Sequence, residues 1–279
     1  PTSPSFVVPF RPSFHFDRPD CPSARFFVQQ THNRRPLMMI AVRSVIAYFL
    51  IVAYIAVAGP LALVVGGLFR WESGMFALGH FGVWLALTLT GIKYRAAGLE
   101  RLPPTAVVFC SNHESNVDPP VLFRALHRRL RILYKAELRR FPLMATIFDV
   151  GGFVAVERAD REKALAAISR GAESLKSGNS FLIFPEGTRS RTGQLLPFKK
   201  GGFIMAIEAQ VPIVPVAVQG GRNAMRKGSA FVRPVTVSVR IGSPIATTGM
   251  TMANRDELIT KVRNEIQSLL EPAVSNRPT

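Results

Sequence analysis

The chain has 279 residues, 48% of them hydrophobic and 19% charged, with a net charge of +17. That apolar content excludes disorder for the bulk of the chain. Two Cys exclude a disulfide scaffold, and no Cys/His cluster has zinc spacing, so no metal site is expected. A basic, hydrophobic chain has two natural partners, nucleic acid or an anionic membrane surface, and position along the chain must decide between them.

Residues 1–43 read as a disordered, Pro-rich basic leader, with no helical or strand period through residue 36. Met38 and Met39 stand just before the first strong pattern, so the leader reads as an extension upstream of a possible start there. Residues 44–69 and 74–92 are two apolar runs interrupted by Arg70 and Glu72. The first is long enough to cross a bilayer, which takes about 20 apolar residues. Gly59-Pro60 and Gly66-Gly67 favour a bend or break within it. Residues 44–92 are therefore expected to form a membrane-attached helical hairpin, either spanning or dipping into one leaflet. Arg34, Arg35 and Arg43 before the hairpin and a basic domain after it place both flanks on the cytoplasmic face. The competing reading is a signal peptide, with Ala56-Val57-Ala58 as the cleavage site.

Residues 93–271 carry a soluble α/β pattern, and 272–279 a tail. Short apolar runs at 107–110, 132–134, 153–156, 181–184, 214–218 and 235–241 read as strands. Helical stripes are expected at 159–176, 203–209 and 255–270. The alternation implies a mixed, largely parallel sheet flanked by helices, with sites just beyond strand ends.

Two constellations follow strands. Asn112-His113-Glu114-Ser115-Asn116-Val117-Asp118 offers a His general base and a carboxylate to orient it. Five residues of helix would separate His113 from Asp118 by about 500° of rotation, so the pair needs a turn. Pro119 and Pro120 supply a helix start, with Asp118 as its cap. Read alone, Asp118 would be only that cap and His113 an ordinary loop histidine. The second constellation is Phe184-Pro185-Glu186-Gly187-Thr188-Arg189-Ser190, where Gly187 allows a sharp turn and Arg189 presents a fork suited to phosphate. Lys199 and Lys200 follow as candidate phosphate or donor contacts, with a solvated basic loop as the rival reading. Arg158 closes a strand. Residues 211–216 form an apolar strand with two prolines, expected at an edge or a bulge and either lining an acyl groove or filling the core.

This ordered set resembles the glycerolipid acyltransferases, most of all the 1-acylglycerol-3-phosphate acyltransferases. The family's Asn-His-x4-Asp motif is matched at 112–118, its Gly-to-Arg strand at 152–158, and its Phe-Pro-Glu-Gly-Thr-Arg motif at 184–189. Its Val-Pro-Ile-Val-Pro-Val segment is matched at 211–216. The resemblance implies the glycerol-3-phosphate acyltransferase-like fold and acyl transfer from acyl-CoA or acyl carrier protein to the sn-2 hydroxyl of lysophosphatidic acid, without a cofactor. It implies His113 as general base, Asp118 as its orienting group, and Arg158, Glu186, Gly187, Thr188 and Arg189 around the acceptor's glycerol phosphate. Glycerol 3-phosphate or another lysophospholipid are alternative acceptors. A non-catalytic basic module is the rival from another class, resting on seven Arg and Lys between Arg124 and Arg140. No nucleic-acid motif accompanies that run, so an anionic membrane surface is the expected partner.

Overall fold

The computed structural model describes residues 37–126, 129–157 and 159–270. The expected leader up to residue 36, Arg128, Arg158 and the tail lie outside the described residues.

Two antiparallel helices come first. α1 spans Leu37–Leu63 and continues through a π-helical turn at Val64–Leu68; α2 spans Glu72–Thr90. α1 begins at Leu37 rather than residue 44 because Arg43 does not end it. The Arg43 Nε donates to the Leu89 carbonyl at 2.9 Å, where the end of α2 favours a cation. Pro60 lies inside α1, and the break falls instead at Gly66-Gly67. The Tyr54 hydroxyl donates to the Leu78 carbonyl at 2.7 Å, and its ring lies against Gly82. Ala56-Val57-Ala58 sits within the α1 helix.

Seven strands follow: β1 Lys93–Ala97, β2 Val108–Ser111, β3 Leu130–Lys135, β4 Val154–Val156, β5 Ser180–Ile183, β6 Ile213–Gln219 and β7 Thr236–Ile241. They form one sheet in the order β1-β7-β6-β2-β5-β3-β4, parallel throughout except for β6 with β7. Alternation along the strands divides the core. Phe109, Leu182, Val214, Val216 and Val218 pack on one face with α2 and α3 (Asp118–Ala125). Val108, Cys110, Phe181 and Ile183 pack on the other with α5 (Arg161–Lys176), α6 (Gly201–Ala209) and α8 (Arg255–Leu270). A one-turn helix, α7, spans Gly221–Ala224.

β1, α4 (Pro142–Val150) and α7 were not expected. β1 pairs at the sheet edge with Lys93 and Arg95 outward, so its charges conceal the strand pattern. α4 is short and packs under α1, where a side chain on Gly59 would meet Ile147 and Leu143. Pro215 lies inside the sheet rather than at its edge. Its missing N–H falls at a bulge: Ile213 bridges Ile245 while Val216 pairs with Ile241. Pairing there sets two residues of β6 against three of the partner segment. Residues 213–218 are all buried and fill the core, so they line no groove.

The hairpin touches the α/β domain at both ends. Near its base, the Val232 amide donates to Ser44 Oγ at 2.9 Å and the Tyr48 hydroxyl to the Ala230 carbonyl at 2.7 Å. At its tip, Glu72 pairs with Arg129 and Arg131, and Arg129 donates to Ser73. The hairpin therefore lies along the domain instead of projecting from it. Its outer face is apolar, with Phe49 72%, Val57 75% and Phe69 70% exposed. The expected basic stripe is partly paired within the fold: besides Arg129 and Arg131, Arg139 forms a two-bond pair with Asp149 (2.6 and 2.8 Å) and Lys135 pairs with Glu137.

The carboxyl ends of β6, β2 and β5 share one edge, and Asn112 locks two of them there. Its Nδ2 donates to the Val218 carbonyl (2.8 Å) and its Oδ1 accepts the Val218 amide (2.7 Å). Asn112→Ala leaves both buried backbone groups unsatisfied, at about 1–3 kcal/mol each. A lowered urea midpoint with an unchanged m-value is the expected result, read by circular dichroism.

Candidate active site

His113 and Asp118 meet at the end of β2. The chain leaves the strand after Asn112, turns through Glu114–Asn116, and enters α3 at Asp118 with Pro119 and Pro120 in its first turn. Asp118 does not cap its own helix as expected; its carboxylate turns back to the loop. Oδ2 accepts from His113 Nδ1 at 2.9 Å, from the Glu114 amide at 2.6 Å and from the Ser115 amide at 2.7 Å. An oxygen already accepting two amides accepts again from the imidazole, so Nδ1 carries the proton and Nε2 keeps its lone pair. The Asp118 side chain is fully buried while that of His113 is 16% exposed. The His113 ring stacks on Phe184 with centroids 4.2 Å apart. Oδ1 of Asp118 is buried without a hydrogen bond among the described residues. Gly221 backs it so closely that a Cβ there would lie 2.1 Å from Oδ1.

The second constellation braces the first. Glu186 is buried, and its Oε1 accepts the His113 amide (2.9 Å) while Oε2 accepts the Leu196 amide (3.0 Å). Burial raises its pKa, and these two amides, with His113 and Arg263, oppose the rise. Its carboxylate faces inward and holds the His113 backbone. The Ser190 amide donates to the His113 carbonyl at 2.8 Å. Arg263 of α8 donates to the carbonyls of Leu195 and Leu196, fixing the far side of this loop.

Gly187 adopts φ 68°, and the Lys199 stem crosses it closely enough that a Cβ would fall 2.9 Å from Lys199 Cε. Thr188 is exposed, and Arg189 is half-buried. The exposed Lys200 turns away to Asp256 at the start of α8, 3.6 Å distant. Arg158 lies outside the described residues. Lys227 was not singled out from sequence, yet it reaches this loop: its Nζ donates to Thr188 Oγ1 (3.0 Å) and to the Arg189 carbonyl (3.2 Å). Its signal was a basic cluster, Arg222, Arg226 and Lys227, enclosed by Gly220-Gly221 and Gly228.

Glu114 has an environment that the motif did not announce. Its side chain is buried, and burial followed by repulsion from Asp118 pushes its pKa up to about 7. Amides of Gly220 and Arg222 and the Arg222 guanidinium oppose that rise. A carboxyl raised in the folded state stabilises the fold fully below the unfolded value of 4.5, and that contribution is lost as pH rises through about 7. The shift corresponds to about 3 kcal/mol across that window. Glu114→Gln should therefore show a smaller fall in unfolding free energy between pH 5 and pH 8 than the parent chain, measured by denaturant titration at both values.

An Acyltransferase family model matches residues 93–219, the span that contains this site. A 1-acyl-sn-glycerol-3-phosphate acyltransferase of Pseudomonas aeruginosa is 31% identical over 214 residues, covering 75% of this chain and 82% of the relative. One from Limnanthes douglasii is 29% identical over 233 residues, 82% of each chain. The fold is similar to the crystal structure of the 1-acyl-sn-glycerophosphate (LPA) acyltransferase of Thermotoga maritima, with a TM-score of 0.70 at 24% identity. That match covers 83% of this chain and 96% of the other. The chain belongs to the 1-acyl-sn-glycerol-3-phosphate acyltransferase family.

Proposed function

We propose that the chain transfers an acyl group from a thioester to the sn-2 hydroxyl of lysophosphatidic acid, giving phosphatidic acid. The observation that carries this reading is the His113–Asp118 pair, with Nδ1 held at 2.9 Å by a buried carboxylate. His113 Nε2 takes the proton of the acceptor hydroxyl as its oxygen attacks the thioester carbonyl. The tetrahedral intermediate collapses with cleavage of the C–S bond, and His113 returns the proton to the departing thiolate. No enzyme nucleophile is needed. Ser111 and Ser115, the nearest hydroxyls in sequence, are both buried; Ser111 donates to the Asn112 carbonyl at 3.0 Å and Ser115 to the Met225 carbonyl at 2.7 Å. The amides of His113, Glu114 and Ser115 are committed to Glu186 and Asp118, so the oxyanion must draw its donors from elsewhere.

Arg189 is the acceptor-phosphate ligand on this reading: a half-buried guanidinium without a carboxylate partner among the described residues, next to the loop that holds His113. Thr188 and Gly187 shape that loop. The donor is acyl-CoA or acyl carrier protein. The hairpin attaches the enzyme to a membrane by its outer apolar face, lying in one leaflet on the cytoplasmic side. The hairpin's contact with the domain at both base and tip supports the one-leaflet placement, and the basic residues flanking the hairpin support the cytoplasmic side.

The test is an assay of lysophosphatidic acid with each donor type, beside His113→Ala. Loss of about 10²–10⁴-fold in kcat with retained fold and membrane attachment is expected from removing a general base. Near-parental turnover in that variant would sink the mechanism. Arg189→Ala should raise the KM for lysophosphatidic acid, or lower its kcat/KM, by about tenfold or more while the donor KM stays unchanged.

A further inference from the structure

The segment after β6 crosses both constellations. Ser115 pins its Met225 carbonyl at 2.7 Å, and Arg222 Nη1 donates to the Arg191 carbonyl at 3.0 Å. Two residues beyond Met225, half-buried Lys227 places its ammonium between Thr188 Oγ1 and the Arg189 carbonyl. Both of those partners are neutral oxygens. An ammonium has three N–H donors, so one remains, and among the described residues no carboxylate pairs with Lys227 to offset its charge. Arg189 is likewise without an ion-pair partner there. Two cations without ion-pair partners on adjoining segments repel each other modestly where water screens them, and an anion held by both would relieve that repulsion.

We propose that Lys227 is a substrate-binding residue which, with Arg189, holds the phosphomonoester of the acceptor and favours acceptors bearing it. A phosphomonoester carries about −1.5 to −2 charge at pH 7, which two cations match better than one. The Ser115–Met225 bond gives this assignment a geometric basis. The loop that orients the His113–Asp118 pair also sets the height of Lys227, so acceptor phosphate and general base share one frame. The inference rests on the acyl-transfer reading above.

A loop staple would account for the same two hydrogen bonds without touching substrate, and the experiment separates the two roles. Lys227→Gln keeps a donor but removes the charge; Lys227→Arg keeps the charge. Steady-state kinetics with lysophosphatidic acid should show a rise in acceptor KM of about tenfold in Lys227→Gln, an unchanged donor KM, and recovery of most of the loss in Lys227→Arg. In the unaltered enzyme, sn-glycerol 3-phosphate but not glycerol should slow reductive methylation of Lys227, read by peptide mass spectrometry. The labelling result decides alone if Lys227→Gln folds poorly. An unchanged acceptor KM in folded Lys227→Gln would overturn the proposal, as would equal rises for donor and acceptor or labelling indifferent to sn-glycerol 3-phosphate. Failure of the unaltered enzyme to acylate lysophosphatidic acid at all would sink the acyl-transfer reading. Normal turnover by that enzyme with an indifferent variant would sink this inference alone.

Discussion

One buried oxygen organises the site. Asp118 Oδ2 receives three N–H groups from three consecutive residues, His113, Glu114 and Ser115. A carboxylate removed from water is costly unless hydrogen bonds replace its hydration; three short donors do so for Oδ2, while Oδ1 is buried without a hydrogen bond among the described residues. The same bonds bend the chain into an arc that no helix or strand would provide. They consume the amides nearest the histidine and leave Nε2 as its one uncommitted polar atom. The arrangement also requires its surroundings. Gly221 must lack a side chain, because a Cβ would occupy the space beside Oδ1. Asn112 must hold β2 against β6, because that pairing brings the Gly220–Gly221 turn over the carboxylate.

A second carboxylate repeats this logic at right of the same histidine in sequence terms, from the loop after β5. Glu186 receives the His113 amide, and the Ser190 amide returns to the His113 carbonyl. The residue is thus held at its backbone by one loop and at its ring by another. Arg263 extends the support to α8 through the carbonyls of Leu195 and Leu196. Orientation is established on folding and need not be paid again in each turnover, which is the physical content of preorganisation.

Periodicity made much of the sheet legible. Apolar runs bounded by Gly, Pro or Asn located six strands to within a few residues, and α8 coincides with the stripe at 255–270. The failures have local causes. β1 escaped because an edge strand carrying Lys93 and Arg95 outward lacks a continuous apolar signal. The start of α1 was misplaced because a charge looks like a boundary until its partner, the Leu89 carbonyl, is known. At the site, spacing and two prolines brought His113 to Asp118. Asp118 turns back to His113 as its spacing suggested, but the loop amides that share its Oδ2, and those that hold Glu186, carry no local signal. Lys227 carried only a basic-cluster signal: its contact with Thr188 and Arg189 depends on β2 lying between β6 and β5, a long-range pairing that no local window contains.

The distribution of charge connects the site to the hairpin. A basic chain with a neutral apolar block invites the view that all its cations address a polyanion. Instead, Arg129 and Arg131 meet Glu72 at the hairpin tip, Arg139 meets Asp149, and Lys135 meets Glu137. These pairs are exposed or partly so and contribute little stability individually. Their consequence is spatial: they reduce the positive field beside the hairpin, whereas Arg189 and Lys227 have no ion-pair partner among the described residues. On the proposed membrane attachment, a hairpin lying along the domain would keep the bilayer at the level of the protein for an acceptor whose tail stays in it. The remaining field then acts on a headgroup already confined to a layer, and the search for the site becomes two-dimensional.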